Sequence, residues 1–307
     1  RSNQEIKEEL EEFLDFFTIE PVSDDPSGVL DRLDHLLDVR DSRYESKARS
    51  LAPDADDEEV ADLQMVLEGT LSTHSLYKLV RHYLKVAEKS GSYQLVQLLQ
   101  LRLPLLEKMG EAYFEATKAF KERKVIGDGL GPMVAARLIG NAGSIEEVRD
   151  TVFAETEIES RRTLVVKAKG PGGRVGKPGE LIEKLADKED IDRIIMVDAG
   201  LKLEGEESGK VVEGVGAAIG GPPTEKHKIE EIATEREIPV DAIIVKEGLK
   251  EAIVPMSRDL SESVDQATEK IKSALIDRTE EDETVVVAGI GNTIGVGQRK
   301  EDIPTDF

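Results

Sequence analysis

Only four of the 26 glycines, Gly28, Gly69, Gly91 and Gly110, fall in the first 123 residues, and the other twenty-two crowd into the rest. Glycine in a helix interior costs about 1 kcal/mol against alanine, and glycine-rich backbone suits turns and close approach. The asymmetry therefore divides the chain: a helical domain over 1–123 and a second, differently built domain over 124–307.

The first part repeats apolar residues at helical spacing. Ile6, Leu10, Phe13, Leu14 and Phe17 share one face of a helix over 2–17, followed by a loop over 21–28. Val29, Leu33, Leu36 and Leu37 mark a second helix. Asp54 to Asp57 offer an N-cap and first-turn acids for a third, with Val60, Leu63, Val66 and Leu67 on its apolar face. Two longer helices are expected over 72–89 and 92–124, the second kinked or split at Pro104. The leucines from Leu95 to Leu106 read as helix core, with a homo-oligomer interface through the helical domain as the second reading. His35, His74 and His82 lack a metal-ligand spacing and read as surface or packed residues.

The second part alternates short apolar runs with amphipathic stretches, which predicts an α/β domain of three layers around a mostly parallel sheet. Strands are expected over 151–159, 163–168, 192–200, 241–246 and 284–290, with helices after Pro132 and over 179–186, 224–237 and 259–276. In D-R-I-I-M-V-D-A-G, the run Ile194 to Val197 reads as a strand buried on both faces and closed by Asp198. Ligands on open α/β sheets dock outside the carboxyl ends of the strands, so Asp198 is the first candidate site residue.

Asp128, in G-D-G-L-G-P ahead of a helix, is the second. If both aspartates reach one sheet edge, they can bind a divalent metal ion or split their pKa values between acid and base roles. The plain alternative is that each caps a helix or binds loop amides. A third turn, G-I-G-N over 289–292, would aim Asn292 into the same cleft. It lacks the G-x-G-x-x-G spacing, so a dinucleotide reading is weak.

Lys167, Lys169, Arg174 and Lys177 lie within a glycine-rich segment that feeds a helix. That composition suits a small anionic ligand, and the alternative is a solvated hairpin tip. It is not a P-loop, because Pro178 stands where Ser or Thr is required. Glu204, Glu206, Glu207 and Ser208, with His227, could add ligands but read better as a solvated acidic loop.

The net charge of −23, with 64 acids against 41 bases, disfavours nucleic-acid binding and resembles a halophile-type surface. A helix-hairpin-helix reading of the segment around Asp128 is accordingly a minority one. The absence of cysteine removes disulfides, thiolate metal sites and a cysteine nucleophile. The chain opens on Arg1 rather than Met, which fits a fragment or processed chain. A cytoplasmic location is expected, with membrane attachment only through an upstream segment.

Three stretches, V-V-K-A-K-G-P-G-G-R-V-G-K-P-G-E, I-I-M-V-D-A-G-L-K-L-E-G-E and V-G-A-A-I-G-G-P, resemble an archaeal family of unknown function, domain of unknown function 1512, over most of the chain. That resemblance implies a hydrophobic segment ahead of residue 1 and supplies no activity. From about Val125 onward the chain is distantly similar to the hydrogenase-maturation and spore-germination protease fold. There a G-[IL]-G-N turn follows the first strand, an acid sits before a helix, and a second acid ends a later strand. Asp128 and Asp198 match the two acids, which implies metal binding or acid catalysis for them. G-I-G-N stands here at the C-terminal end instead, and a circular permutation would restore its neighbourhood. Together these readings give an expected hydrolase- or peptidase-like domain, with an anion- or nucleotide-binding scaffold as the alternative.

Overall fold

The computed structural model describes residues 3–14, 28–140, 142–221, 223–305 and 307. Four helices come first: α1 (Asn3–Phe13), α2 (Val29–Leu51), α3 (Asp57–Ser90) and α4 (Tyr93–Lys121). The end of the expected first helix, 15–17, and most of the loop after it, 21–27, lie outside the described residues.

Asp56 starts α3 with a capping box. Its carboxylate accepts from the Glu58 and Glu59 amides at 3.0 and 2.8 Å, and Glu59 returns a bond to the Asp56 amide at 3.1 Å. The two helices expected on either side of residue 70 are one 34-residue helix. Gly69 does not break it, because that glycine serves a close approach: a Cβ there would stand 2.4 Å from the Thr117 hydroxyl of α4. Gly91 (φ +59°) reverses the chain and Ser92 caps α4. That helix runs on through Pro104 without splitting. Among the described residues no helix is long and apolar enough to cross a membrane.

The second part contains, in chain order, a 3-10 turn at Gly127–Gly129, α5 (Leu130–Ile139), β1 (Glu146–Val148), β2 (Thr151–Ile158), β3 (Arg161–Ala168), α6 (Pro178–Ala186), β4 (Arg193–Leu201) and β5 (Val211–Val215). There follow α7 (Pro223–Glu235), β6 (Val240–Glu247), α8 (Leu249–Ile253), α9 (Arg258–Arg278) and β7 (Thr284–Gly289). Glu159 and Ser160, both at positive φ, make the two-residue turn of the β2–β3 hairpin, so Arg161 and Arg162 belong to the strand rather than to the turn expected there.

The seven strands form one sheet in the order β1-β2-β3-β7-β4-β6-β5. The four central strands, β3, β7, β4 and β6, are parallel, and the edges are antiparallel. Strand periodicity sorts the buried run of β4 between two cores. Ile195 and Val197 pack with α5 and α9 on one face, while Ile194 and Met196 pack with α6 and α7 on the other. This is the expected three-layer arrangement. The helical region joins it through Ala116, Ala119 and Phe120 of α4, which pack on Ile126 and Ile294.

The last strand in the chain lies at the middle of the sheet. β7 sits between β3 and β4, with Val197 opposite Gly289, so the turn after β7 opens beside the end of β4. Topology thus unites segments that are almost 100 residues apart in sequence.

Candidate functional site

Glycines let three turns close on one another at the carboxyl edge of the sheet. A Cβ at Gly131, in the first turn of α5, would stand 2.1 Å from the Ile290 carbonyl and 2.6 Å from that of Val197. At Gly291 (φ +131°) it would stand 1.9 Å from the Asp128 carbonyl. No larger residue fits either place, so α5 starts in direct contact with the ends of β4 and β7. The Ile290 amide donates to the Val197 carbonyl at 2.8 Å. The Asn292 amide donates to Asp128 Oδ2 at 2.8 Å.

Asp128 and Asp198 therefore stand at one edge, as do the two turns that carry Asp128 and Asn292. Asp198 is 4% exposed. Its Oδ1 accepts from the Ala199 amide at 2.8 Å and its Oδ2 from the Gly220 amide at 2.9 Å. Gly220 belongs to the Gly- and Ala-rich segment after β5, whose close approach serves this carboxylate. Burial, and after it the Asp128 charge, pushes the Asp198 pKa well above the ordinary range, against the pull of the two amides. Burial also pushes Asp128 up to about 6, again opposed by the Asn292 amide. Both groups thus retain protons at a pH where an exposed aspartate is fully ionised.

A third acid, which the sequence reading passed over, completes the group. Glu247 ends β6, is 2% exposed, and its Oε2 has no hydrogen-bond partner. A Cβ at Gly127, next to Asp128, would come within 2.3 Å of that oxygen. Burial raises the Glu247 pKa to about 8, and the charges of Asp128, Glu251 and Asp198 add to the shift. The signal was present: D-A-I-I-V-K-E-G closes an apolar run with an acid and a glycine, as V-D-A-G does. The expected strand stopped one residue short, at Lys246.

A cleft of about 700 Å³ opens between α2 and α3 on one side and the 173–177 segment on the other. Asp128 and Asn292 line it; Asp198 and Glu247 lie behind, out of its lining. The Asn292 side chain serves its own turn. Its Oδ1 accepts from the Ile294 amide at 2.9 Å, and its Nδ2 approaches Met65 Sδ at 3.5 Å.

The basic residues of the glycine-rich segment are held by the protein itself. Lys167 is fully buried in β3, donating to the Ala168 carbonyl at 2.8 Å and to Gln298 at 3.0 Å, and burial lowers its pKa to about 7. Lys169 pairs with Glu147 at 2.8 Å. Lys177 reaches Asp34 and Asp38 of α2 at 2.7 and 3.0 Å. Arg174 reaches Asp150 at 3.1 Å and the Asp57 carbonyl at 2.8 Å, which leaves its Nη1 buried without a partner. The start of α6, which the basic loop was expected to offer to a small anionic ligand, is taken by a side chain of the protein: Glu225, 4% exposed, accepts from the Gly179 and Glu180 amides at 2.8 and 3.2 Å. The segment straps α2 and α3 to the sheet edge, with Gly173 donating to Asp62 of α3 at 3.1 Å.

His227 is exposed beside Glu231, and Glu206 accepts from the Leu203 amide of its own turn at 2.7 Å. Among the described residues no three His, Asp or Glu side chains are grouped so as to hold a metal ion together.

No curated relative matches the chain. Two family models do: the N-terminal domain of a protein of unknown function, DUF1512, over residues 1–123, and the C-terminal domain of unknown function of the same family over residues 126–297. The second alone takes in more than half of the 307 residues, and the chain belongs to the DUF1512 family.

Proposed function

We propose that the carboxyl edge of the sheet is the acid–base site of a hydrolase, with Asp128 as the group that meets the substrate. One observation carries this reading: Asp128 lines the cleft, while the two acids that share its field, Asp198 and Glu247, are sealed behind it. Near neutral pH, Asp128, pushed up to about 6, is largely ionised, and burial beside it makes Asp198 hold its proton to higher pH than an exposed aspartate does. Neighbouring acids whose burial moves them out of the ordinary carboxylate range are the groups that general acid–base chemistry uses. Asp128 would take a proton from a water attacking a peptide or ester carbonyl. Asp128 would then return that same proton to the leaving group, while the buried Asp198 beside it, held by the Ala199 and Gly220 amides, tunes the acidity of Asp128 without giving up a proton of its own. The distant likeness to the hydrogenase-maturation and germination protease fold fits this assignment, since the acids matched there are the two that adjoin here.

Asp128 and Asp198 are also the residues that would hold a divalent ion. Two acids, one of them already engaged by two amides, are fewer ligands than such ions usually take from oxygen-rich protein sites, so the metal-free acid pair is the form proposed. A second reading, an anion bound without turnover, draws on the unpartnered Arg174 Nη1 at the cleft wall.

A panel of fluorogenic peptides and p-nitrophenyl esters tests the proposal. Turnover should rise through pH about 6 as Asp128 ionises. In Asp128→Asn it should fall by about 100- to 10,000-fold with the circular dichroism unchanged. Turnover indifferent to that substitution sinks the assignment, as does a failure to turn over any substrate in the panel. Calorimetric binding of Mg, Mn or Zn ions that disappears in Asp198→Ala would replace the acid pair with a metal site. Stabilisation by phosphate or nucleotides without turnover would favour the anion reading.

A further inference from the structure

The far end of the α3–α4 hairpin carries large apolar side chains that its own packing does not use. Within the hairpin, Leu76, Val80 and Ala87 of α3 recur at helical spacing and turn inward, and Leu76 lies against Gly110 of α4. A second set is turned outward. On α3, Leu79, Tyr83 and Val86 are exposed at spacings of four and three residues. On α4, Leu98, Leu101 and Leu105 are exposed at spacings of three and four, Leu101 to 77%. Such spacing makes an unbroken stripe on each helix.

The two stripes match in level and in side. Val86 and Leu98 are equidistant in sequence from Ser92 at the hairpin turn, as are Tyr83 and Leu101, and Leu79 and Leu105. In an antiparallel pair this makes three apolar layers. At 100° per residue, the α3 stripe lies roughly 70° from the seam of Leu76, Val80 and Ala87, the α4 stripe roughly 110° from that of Leu95, Leu99 and Leu106, and the antiparallel course puts both on one face of the hairpin. Ser75, Ser90 and Gln94 share that face, and the exposed Lys108, seven residues after Leu101, closes it one turn beyond the last layer, whereas Lys78, Arg81, Lys85 and Lys89 point elsewhere around α3. A face with three heptad-spaced layers and little charge is what a four-helix bundle buries at its centre.

We infer that this face pairs with the same face of a second copy of the chain, two hairpins closing into a four-helix bundle about a two-fold axis. The area supports a self-associating surface. With about half of each of the six side chains exposed, the face offers on the order of 500 Å² of apolar surface per copy, close to the apolar share of a standard interface patch of about 800 Å². The uncharged stripe matters in a chain of net charge −23, because two copies can meet here without opposing like charges across the contact. The distal hairpin also stands apart from the cleft, so the pairing leaves Asp128 accessible.

Sedimentation equilibrium of the full chain between roughly 1 and 100 µM tests this directly. The expected mass is twice the 33.7 kDa of one chain. L98E/L101E should weaken the dimer on the order of 100-fold or more while leaving the circular dichroism unchanged. Y77E/L84E, on the opposite face of the hairpin, should remain dimeric. Hydrogen exchange in wild-type protein offers a readout free of variants: protection over 79–105 should rise with concentration. A monomer throughout the range overturns the inference. So does a dimer that survives L98E/L101E, or one that Y77E/L84E breaks equally. A monomer that sediments with phosphatidylglycerol vesicles also overturns it and assigns the face to lipid.

Discussion

Two groups of carboxylates flank the same cleft and have opposite fates. At the strap, Asp34 and Asp38 of α2 meet Lys177, Lys228 and Arg149 at 2.7–3.0 Å. Asp34 is lowered to about 2, because bonds and charges from Lys177 and Lys228 outweigh a desolvation cost that is the largest single contribution. At the sheet edge, Asp128, Asp198 and Glu247 have no such cation among the described residues, and burial drives all three upward. The protein thus spends its nearby positive charge on joining its two parts and leaves the sheet-edge acids uncompensated. A buried acid beside a cation is a fastener. A buried acid beside other acids costs stability, and such sites are where function is sought first.

The largest expected effect comes from the least satisfied of these acids. Glu247 titrates near 8 in the folded chain against an ordinary 4.5, so the folded state holds its proton more tightly than the unfolded state does. Stability associated with this group is present below pH 4.5 and is lost as pH rises through about 8. Glu247→Gln, measured by urea denaturation, should therefore gain on the order of a few kcal/mol over wild type at pH 9 and almost nothing at pH 4. A pH-independent difference would mean that Glu247 titrates alike in the folded and unfolded chain, and the contrast between the two acid groups would fail.

The strap should show the reverse slope and a smaller size. Asp34 falls from 3.8 to about 2, so its contribution is fully present above pH 3.8 and is lost as pH falls through 2. Asp34→Asn should cost about 1 kcal/mol at neutral pH, since the pair is partly open to solvent and screened accordingly. That cost should vanish below pH 2. A larger loss that persists in acid would show that Asp34 acts through packing instead of charge.

These two groups also differ in how far they could be read in advance. The apolar runs closed by acids gave Asp198 and the sheet, because a buried parallel strand has a distinctive composition. The glycines around Asp128 and before Asn292 marked turns, and the structure gives each a contact that excludes a Cβ. What the linear order concealed was the central place of β7, which depends on a crossover that no local signal records. Residue types in the Lys169–Lys177 segment suggested an external anion, yet their partners, Asp34, Asp38 and Glu225, lie on other elements. Composition reveals charge and not its counter-charge. The two-helix reading of 57–89 failed in a similar way, because the helix continues through Gly69, whose partner, Thr117, lies on a later helix.

The smallest effect separates the strap from the general acidity of the chain. With a net charge of −23, the folded protein repels itself, and added NaCl should stabilise it by screening that repulsion. The strap pairs attract, so the same salt weakens them. Absolute stability mixes the two terms and can move either way. The difference between wild type and Asp34→Asn isolates the strap, because both proteins carry nearly the same background repulsion. At low salt that difference should be near 1 kcal/mol, and at 1 M, where the Debye length is about 3 Å, it should shrink to a few tenths. The corresponding difference for Glu247→Gln at pH 9 should hold nearly constant, since Glu247 is 2% exposed and salt does not reach it. If both differences fell together, the sheet-edge acids would have to be open to solvent, and Asp128 could no longer be distinguished from them as the group that faces the cleft.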